Sequence, residues 1–530
     1  MFAFKAKITS KGFLDKLKAR CVARGDMQLR PDDPDNLWSP CVFARTFKMF
    51  IASATRHKRP IRQLDFIAAF CQGIIKDQRL FLNLPKEYAH LVPEYKEYFE
   101  RPLCLARSIY GLQISAKVWN EDVTDHLINN DFMKFHQSEV DPSLFIYREG
   151  DQFLTMIIYI DDMLYFATNE NLEKKFEKVL KNRFNLELQG NAHWFLGTRI
   201  YRESDGSYLI DQENYIKNVL KRYCGDDSTQ GLPPMKSTPA PVDYVYTTKN
   251  RPETDEEKKE IERRYNGISM PSAVSSLLYA ALNTRCDILF IVNKLAKSAN
   301  NPGMKDFEAL MHVFGYLRKY SDRAIKFYAD PSESPAHKIC ARHKIETTHI
   351  IGFSDSSWHD CPDSGRSTCG YKVFVQGGLI DAQSTLPIPV ALSSAEAEYM
   401  GACHLGMMVC HLRDLQYDLD YLGSPTHDAE EGTHPNAPTI LLIDNQATVR
   451  MSKNYKVTNK NRHVARRWHF VRRGNRDKLF SLCWIPAEDQ LADDTTKSQA
   501  SNKSLPHMER TLIQIPDKVR GHKGSTIGNR

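Results

Sequence analysis

The stretch MIIYIDDMLYFAT, residues 156–168, is an apolar run broken at its centre by two adjacent acids, Asp161 and Asp162. Two ionised carboxylates in apolar flanks are costly unless something positive sits between them. The flanks do not alternate with polar residues, so the hairpin they form is expected to be covered on both faces. A plain Asp-Asp turn is the simpler alternative, because Asp is tolerated in tight turns. Surface hairpins, however, usually alternate and carry Gly or Asn at the turn, and this one does neither. A divalent-cation site accounts for the pair better. Hard cations such as Mg²⁺ choose carboxylate oxygens, and two of them about 3.5–4 Å apart can activate an attacking oxygen and stabilise a leaving one. Such a site needs a further acid from a distant strand, and Asp65, inside the apolar run IRQLDFIAAFCQG, is the candidate.

Strands and helices mix in residues 1–223. RLFLNLP reads as a strand, and NLEKKFEKVLKNRF and DQENYIKNVLKRYC as amphipathic helices with one buried face. A Pro- and Ser-rich linker is expected over 224–250, and a helical region over 251–345. Strands return from about 346 to 500, and a basic, flexible tail is expected over 501–530. At 530 residues the chain is too long for a single core. The absence of a long apolar run speaks against membrane insertion or secretion. Twelve scattered cysteines without a C-x-x-C pair fit reduced thiols in an intracellular protein. Cys403-His404 and Cys410-His411 recur at helical spacing and are better read as core packing than as zinc ligands.

A second set of acids lies in the later strands. IIGFSDSSWHD ends a strand at Asp355 and TILLIDNQATV ends another at Asp444. Between them, Ser393 with Glu396 three residues on is a capping-box signature, which places Glu398 in the first turns of a helix near the strand ends. Asp493 lies in IPAEDQLADDTTKS. Singly, Asp444 reads as a helix cap and Asp493 as a residue of a polar helix; together the four suggest a site. The net charge of +7 says little about partners. Residues 450–478 say more: Lys and Arg dominate there against one acid, Asp477, with aromatics interleaved, a pattern suited to a phosphate backbone.

The ordered set QLDFIAAFCQG, SIYGLQISAKVWN, IIYIDDMLYFAT and HWFLGTRI resembles the reverse transcriptase of copia-type LTR retrotransposons. GFSDSSWHDCPDSGRSTCGYKVFVQGG, VALSSAEAEYMGA and LADDTTKS resemble the RNase H domain that follows it in the same elements. The resemblance implies an α/β (α+β) chain: right-hand polymerase fingers and palm, entered within the fingers, over 1–223; a helical thumb or connection region; then an RNase H-like mixed sheet. It implies two Mg²⁺ ions, or Mn²⁺, per active site. Asp65, Asp161 and Asp162 would hold them for nucleotidyl transfer, and Asp355, Glu398, Asp444 and Asp493 for cleavage of the RNA strand of an RNA–DNA hybrid. Phe70 would be the aromatic gate against a 2′-hydroxyl, although without the resemblance it reads as an ordinary core phenylalanine in an apolar run. Lys18 and Arg20, in KARCVARGDMQ, would clamp the incoming triphosphate, although a solvated basic strand is the alternative. Arg462, His463, Arg466 and Arg467 would contact the hybrid backbone.

The implied partners are RNA template, DNA primer, hybrid and dNTPs, and in a parent element other polyprotein products such as integrase and capsid. The expected location is the cytoplasm, in a virus-like particle for an active element, or the nucleus. Where the family usually has Lys-Gln-Ser-Pro, this chain has Gln113-Ile114-Ser115-Ala116. Two other readings stay open: a degenerate relic that binds nucleic acid without polymerising, and a chain in which the RNase H half alone is active.

Overall fold

A computed structural model of the protein describes residues 2–8, 14–28, 37–76, 79–225, 232–265, 267–421, 437–454 and 465–520. The chain divides into two compact units, residues 1–46, 60–192 and 518–530 in the first and 47–59 and 193–517 in the second.

In the first unit, β1 (Phe2–Ile8) and β2 (Leu14–Cys21) form an antiparallel ribbon. After α1 (Ala44–Arg56), most of which is counted with the second unit, come β3 (Arg62–Phe66), a short ribbon of β4 (Phe81–Leu82) with β5 (Leu103–Cys104), and α2 (Ser115–Ile128). Next are β6 (His136–Gln137), β7 (Leu144–Glu149), β8 (Gln152–Tyr159), β9 (Asp162–Ala167), α3 (Glu170–Arg183) and β10 (Leu186–Asn191). The main sheet runs β10-β3-β9-β8-β7-β6. Strands β8 and β9 are buried almost end to end, as their unbroken apolar flanks require. Helix α3 presents Leu172, Phe176, Val179 and Leu180 on one face to the core shared by Leu64, Phe66, Trp119, Met163 and Tyr165. Asn169 caps it, its side chain accepting from the Leu172 N–H at 2.9 Å.

The second unit holds β11 (Trp194–Phe195), β12 (Thr198–Arg202), β13 (Tyr208–Asp211), α4 (Glu213–Cys224) and the helices α5 (Asp255–Tyr265), α6 (Met270–Asn283), α7 (Leu289–Ser298) and α8 (Met304–Lys319). It continues with β14 (Arg323–Phe327), α9 (Pro335–Arg342), β15 (Ile350–Ser357), β16 (Thr368–Val375), β17 (Gly378–Thr385) and α10 (Ser394–Tyr421). Then follow β18 (Thr439–Ile443), α11 (Gln446–Lys453), α12 (Ala465–Arg476), β19 (Phe480–Trp484), α13 (Ser501–Glu509) and β20 (Ile513–Gln514), while α14 (Asp517–Arg520) is counted, past its first residue, with the first unit. One sheet is ordered β11-β12-β13-β14-β20, the other β17-β16-β15-β18-β19. In the second sheet β15 is antiparallel to β16 and parallel to β18, which is parallel to β19, the mixed sheet expected for this half.

Four sequence expectations about boundaries and order differ from the arrangement of the described residues. The first unit's main body ends at Ala192 rather than near 223, because β12 and β13 pair onward to β14, with Ile210 opposite Ile325. For the same reason 251–345 is no separate body. The described part of the linker is packed: the Pro234 carbonyl lies 2.2 Å from where a Cβ on Gly315 of α8 would stand, so only glycine allows that approach. The described part of the tail, up to residue 520, folds through α13 and β20, with Met508, Leu512 and Ile515 buried.

Candidate active sites

The Asp161–Asp162 pair sits where β8 turns into β9. Tyr159 opposes Asp162, leaving Ile160 and Asp161 as a two-residue turn. Ile160 adopts φ 57°, a left-handed conformation that a β-branched residue rarely takes. Strain of this kind costs about 1–3 kcal/mol and persists only where the surroundings impose it. Here they do. The Trp119 indole N–H donates to the Ile160 carbonyl at 2.6 Å, and the Phe66 N–H to the Asp161 carbonyl at 2.8 Å. Trp119 is itself locked edge-on against Phe66, with ring centroids 4.9 Å apart. Asp65 on β3 is the register partner of Asp162 on β9, so the two side chains leave the same face of the sheet. Asp65, Asp161 and Asp162 are all half-buried.

Beside the turn, Phe70 lies in a short 3-10 segment after Ala68, which has φ 53°. Its ring meets Tyr110 edge-on at 5.4 Å, and the Arg20 guanidinium lies over that tyrosine at 5.1 Å from the centroid. Burial pushes the Tyr110 hydroxyl above its ordinary pKa, Arg20 pulls it back, and Asp161 adds to the rise. Tyr110 therefore joins Arg20, Phe70 and the acid turn. Sequence reading passed over both Tyr110 and Trp119; the signal available was that a buried indole or phenol seeks a partner for its polar end. Lys18 lies on β2, with its side chain outside the described residues. The Gln113 amide donates to the Gly25 carbonyl at 2.6 Å, which ties the altered 113–116 segment to the loop after β2.

The second site stands at the carboxyl ends of parallel neighbours β15 and β18. Ser354 pairs with Ile443, so Asp355 and Asp444 emerge side by side. Glu398 comes from the first turns of α10. As expected, Glu396 serves the cap: its carboxylate accepts from the Leu392 N–H at 2.9 Å, while its own N–H donates to Ser393 Oγ at 3.2 Å. Gly401 lets α10 approach, since a Cβ there would lie 2.7 Å from both Ser354 Oγ and Ser356 Oγ. Among the described residues, Asp355, Glu398 and Asp444 form the group of potential metal ligands, each offering an oxygen within 4.8 Å of the others. Asp65, Asp161 and Asp162 do not form such a group. Glu398 is 6 % exposed; its Oε1 accepts from the Ser356 N–H at 3.2 Å, and its Oε2 has no hydrogen-bond partner. A buried, unpartnered carboxylate oxygen beside two further carboxylates is the donor set a hard divalent cation takes.

Electrostatics say the same. Burial pushes the Asp355 carboxyl up to about 6, with Asp493 and Asp444 adding to the rise and Lys497 and Thr496 opposing it. Glu398 is pushed well above its ordinary value by burial and by Asp355 and Asp444. Asp493 stands apart from the trio: its Oδ1 is paired with Lys497 and its Oδ2 accepts from the Gln499 amide at 2.8 Å. Arg462 and His463 lie outside the described residues, as do the side chains of Arg466 and Arg467 on α12.

The residue after Asp493 anchors this turn from below. Burial alone would raise the Asp494 carboxyl, but Lys372 and His507 override it and hold it at about 2. The fully buried Lys372 ammonium lies 2.7 Å from Asp494 and 3.2 Å from Thr511 Oγ1. A depressed carboxylate pKa contributes stability above about pH 4 that is lost as the pH falls toward 2. Lys372→Met leaves a buried carboxylate with His507 as its remaining partner and is expected to cost about 3–5 kcal/mol in denaturant unfolding of this unit. The double variant Lys372→Met/Asp494→Leu should recover most of that; no recovery would mean the pair is not what the methionine disrupts.

A family described as reverse transcriptase (RNA-dependent DNA polymerase) matches residues 1–237. The chain is 27% identical over 510 residues to a retrovirus-related Pol polyprotein from transposon TNT 1-94 of Nicotiana tabacum, covering 95% of this chain and 34% of that one. It is 27% identical over 520 residues to the corresponding polyprotein from transposon RE2 of Arabidopsis thaliana, covering 98% and 32%. It thus spans about a third of the length of these relatives. Among solved structures, an LC11-RNase H1 in complex with RNA/DNA hybrid aligns at 19% identity over 29% of this chain and 99% of that one, with a TM-score of 0.20.

Proposed function

We propose that this chain, related to Pol polyproteins of copia-type retrotransposons and matching the reverse transcriptase family over residues 1–237, is an RNA-directed DNA polymerase joined to a ribonuclease H. One observation supports the reading most: its acids lie on two separate sheets, the first set with Asp65 and Asp162 in register inside the matched segment, the second a converging trio with an unpartnered Glu398 oxygen. Asp65, Asp161 and Asp162 would hold divalent ions in the first site, and Asp355, Glu398 and Asp444, joined by Asp493, in the second. Mg²⁺ or Mn²⁺, when bound, supplies charge stabilisation for attacking and leaving oxygens at phosphorus. The chain's own residues do the rest. Trp119 and Phe66 fix the acid turn, Arg20 offers charge to a triphosphate from its seat on Tyr110, and Phe70 walls the sugar.

Assays on a primed RNA template and on an RNA–DNA hybrid, with Mg²⁺ or with EDTA, test this reading. Synthesis and cleavage that both require the metal are expected. Hybrid cleavage alone would leave only the nuclease half working, and binding without either reaction would mark a relic. Phe70→Ala is expected to lower discrimination against ribonucleotides by roughly 10- to 100-fold, measured as the ratio of kcat/KM for dNTP and rNTP. Unchanged selectivity would remove Phe70 from the gate.

A further inference from the structure

Lys497 has no part in the site as the sequence reads it. It lies four residues after Asp493, with its ammonium paired to Asp493 Oδ1 and 4.0 Å from Asp355 Oδ2. Three carboxylates within 4.8 Å of one another in a largely buried setting repel strongly, and Lys497 brings a positive charge to their edge. The same ammonium occupies one oxygen of Asp493 while Gln499 holds the other, so Asp493 faces its own turn rather than the trio. Thr496 ties the two together, its hydroxyl contacting both Asp355 Oδ2 and, at 3.1 Å, the Asp493 carbonyl. The Lys497 side chain is half exposed, 51%, so it has an open path away from the acids.

We infer that Lys497 is a tethered counter-cation of the nuclease acids, which withholds Asp493 from the metal-binding set until a divalent ion displaces it. The inference rests on the nuclease reading proposed above. In the metal-free protein the ammonium offsets part of the carboxylate repulsion. A divalent ion entering the trio makes that ammonium an unfavourable neighbour. Lys497 then swings toward solvent, and Asp493 is released to complete the shell. The lysine thus stabilises the empty site and weakens metal binding through one and the same charge.

The test is calorimetric titration of MgCl₂ alone into the full chain carrying Asp161→Asn and Asp162→Asn, so that the heat reports on the nuclease site. Wild type at position 497 is compared with Lys497→Met and Lys497→Arg, and unfolding midpoints are taken in EDTA. Lys497→Met is expected to bind Mg²⁺ roughly fivefold more tightly, as removal of one half-exposed charge allows, and to unfold at lower temperature in EDTA. Lys497→Arg should stay near wild type in both. Equal Mg²⁺ affinity with and without the lysine overturns the inference, and a lower midpoint without tighter binding reduces Lys497 to a structural ion pair. Tighter binding by Lys497→Arg as well would make bulk rather than charge the cause. If none of the proteins binds Mg²⁺, the nuclease reading itself falls.

Discussion

Asp161→Asn is expected to lower DNA synthesis on a primed RNA template by at least about 10³-fold and to leave cleavage of an RNA–DNA hybrid unchanged. The substitution keeps the side chain's shape and hydrogen-bonding reach and removes only its charge. The turn should therefore stand: the Asp161 carbonyl still accepts from Phe66, and Trp119 still holds Ile160. What is lost is half of the acid pair that would bring metal to the reacting phosphate, and a loss of 10³ corresponds to about 4 kcal/mol of transition-state stabilisation. Cleavage is spared because its acids belong to a different sheet in the second compact unit. Loss of both activities would argue against two independent sites. A variant with normal synthesis would remove Asp161 from the chemistry, whatever the fate of cleavage.

The parts of this site that sequence made legible are those encoded locally. The hairpin announces itself through two unbroken apolar runs meeting at two acids. Helix α3 shows its buried face at Leu172, Phe176 and Leu180, and Ser393 with Glu396 marks the start of α10, which frees Glu398 for the site. What stayed hidden depends on distant pairings. The first unit closes at Ala192 only because β13 finds β14 more than a hundred residues on. The residues around Met508, Leu512 and Ile515 looked like tail because their apolar spacing is sparse, and their burial needs β14 as a partner. Trp119 reads as an ordinary core aromatic until its indole is seen on the strained Ile160 carbonyl. The need for glycine at position 401 shows only once the serines of β15 are seen beneath it. Lys497 needs the fold outright, since nothing in DDTTKS says that its ammonium reaches Asp355.

Glu398→Gln should abolish hybrid cleavage, again by about 10³-fold or more, leave DNA synthesis intact, and make the metal-free protein more stable at neutral pH. The last effect has a definite sign. Burial and mutual repulsion raise Asp355 to about 6 and hold Glu398 well above its ordinary value. In the unfolded chain both ionise near pH 4. Above that pH the unfolded chain binds fewer protons than the folded one, so folding stability falls as the pH rises through the window between the unfolded and folded values. By pH 7 the penalty from Asp355 is complete. Glutamine removes the Glu398 charge and relieves Asp355, so the unfolding midpoint in EDTA should rise, and its decline between pH 4 and 7 should flatten. Each kcal/mol regained is worth about 1–2 °C for a unit of this size. Mg²⁺ should raise the midpoint of the wild type more than that of the variant, because the variant has lost the unpartnered oxygen that the metal would take. A glutamine variant that cleaves normally would remove Glu398 from the site. If Glu396→Gln alone stops cleavage, the roles assigned to the two glutamates of α10 are reversed, and the cap, not the metal, is the work of Glu398.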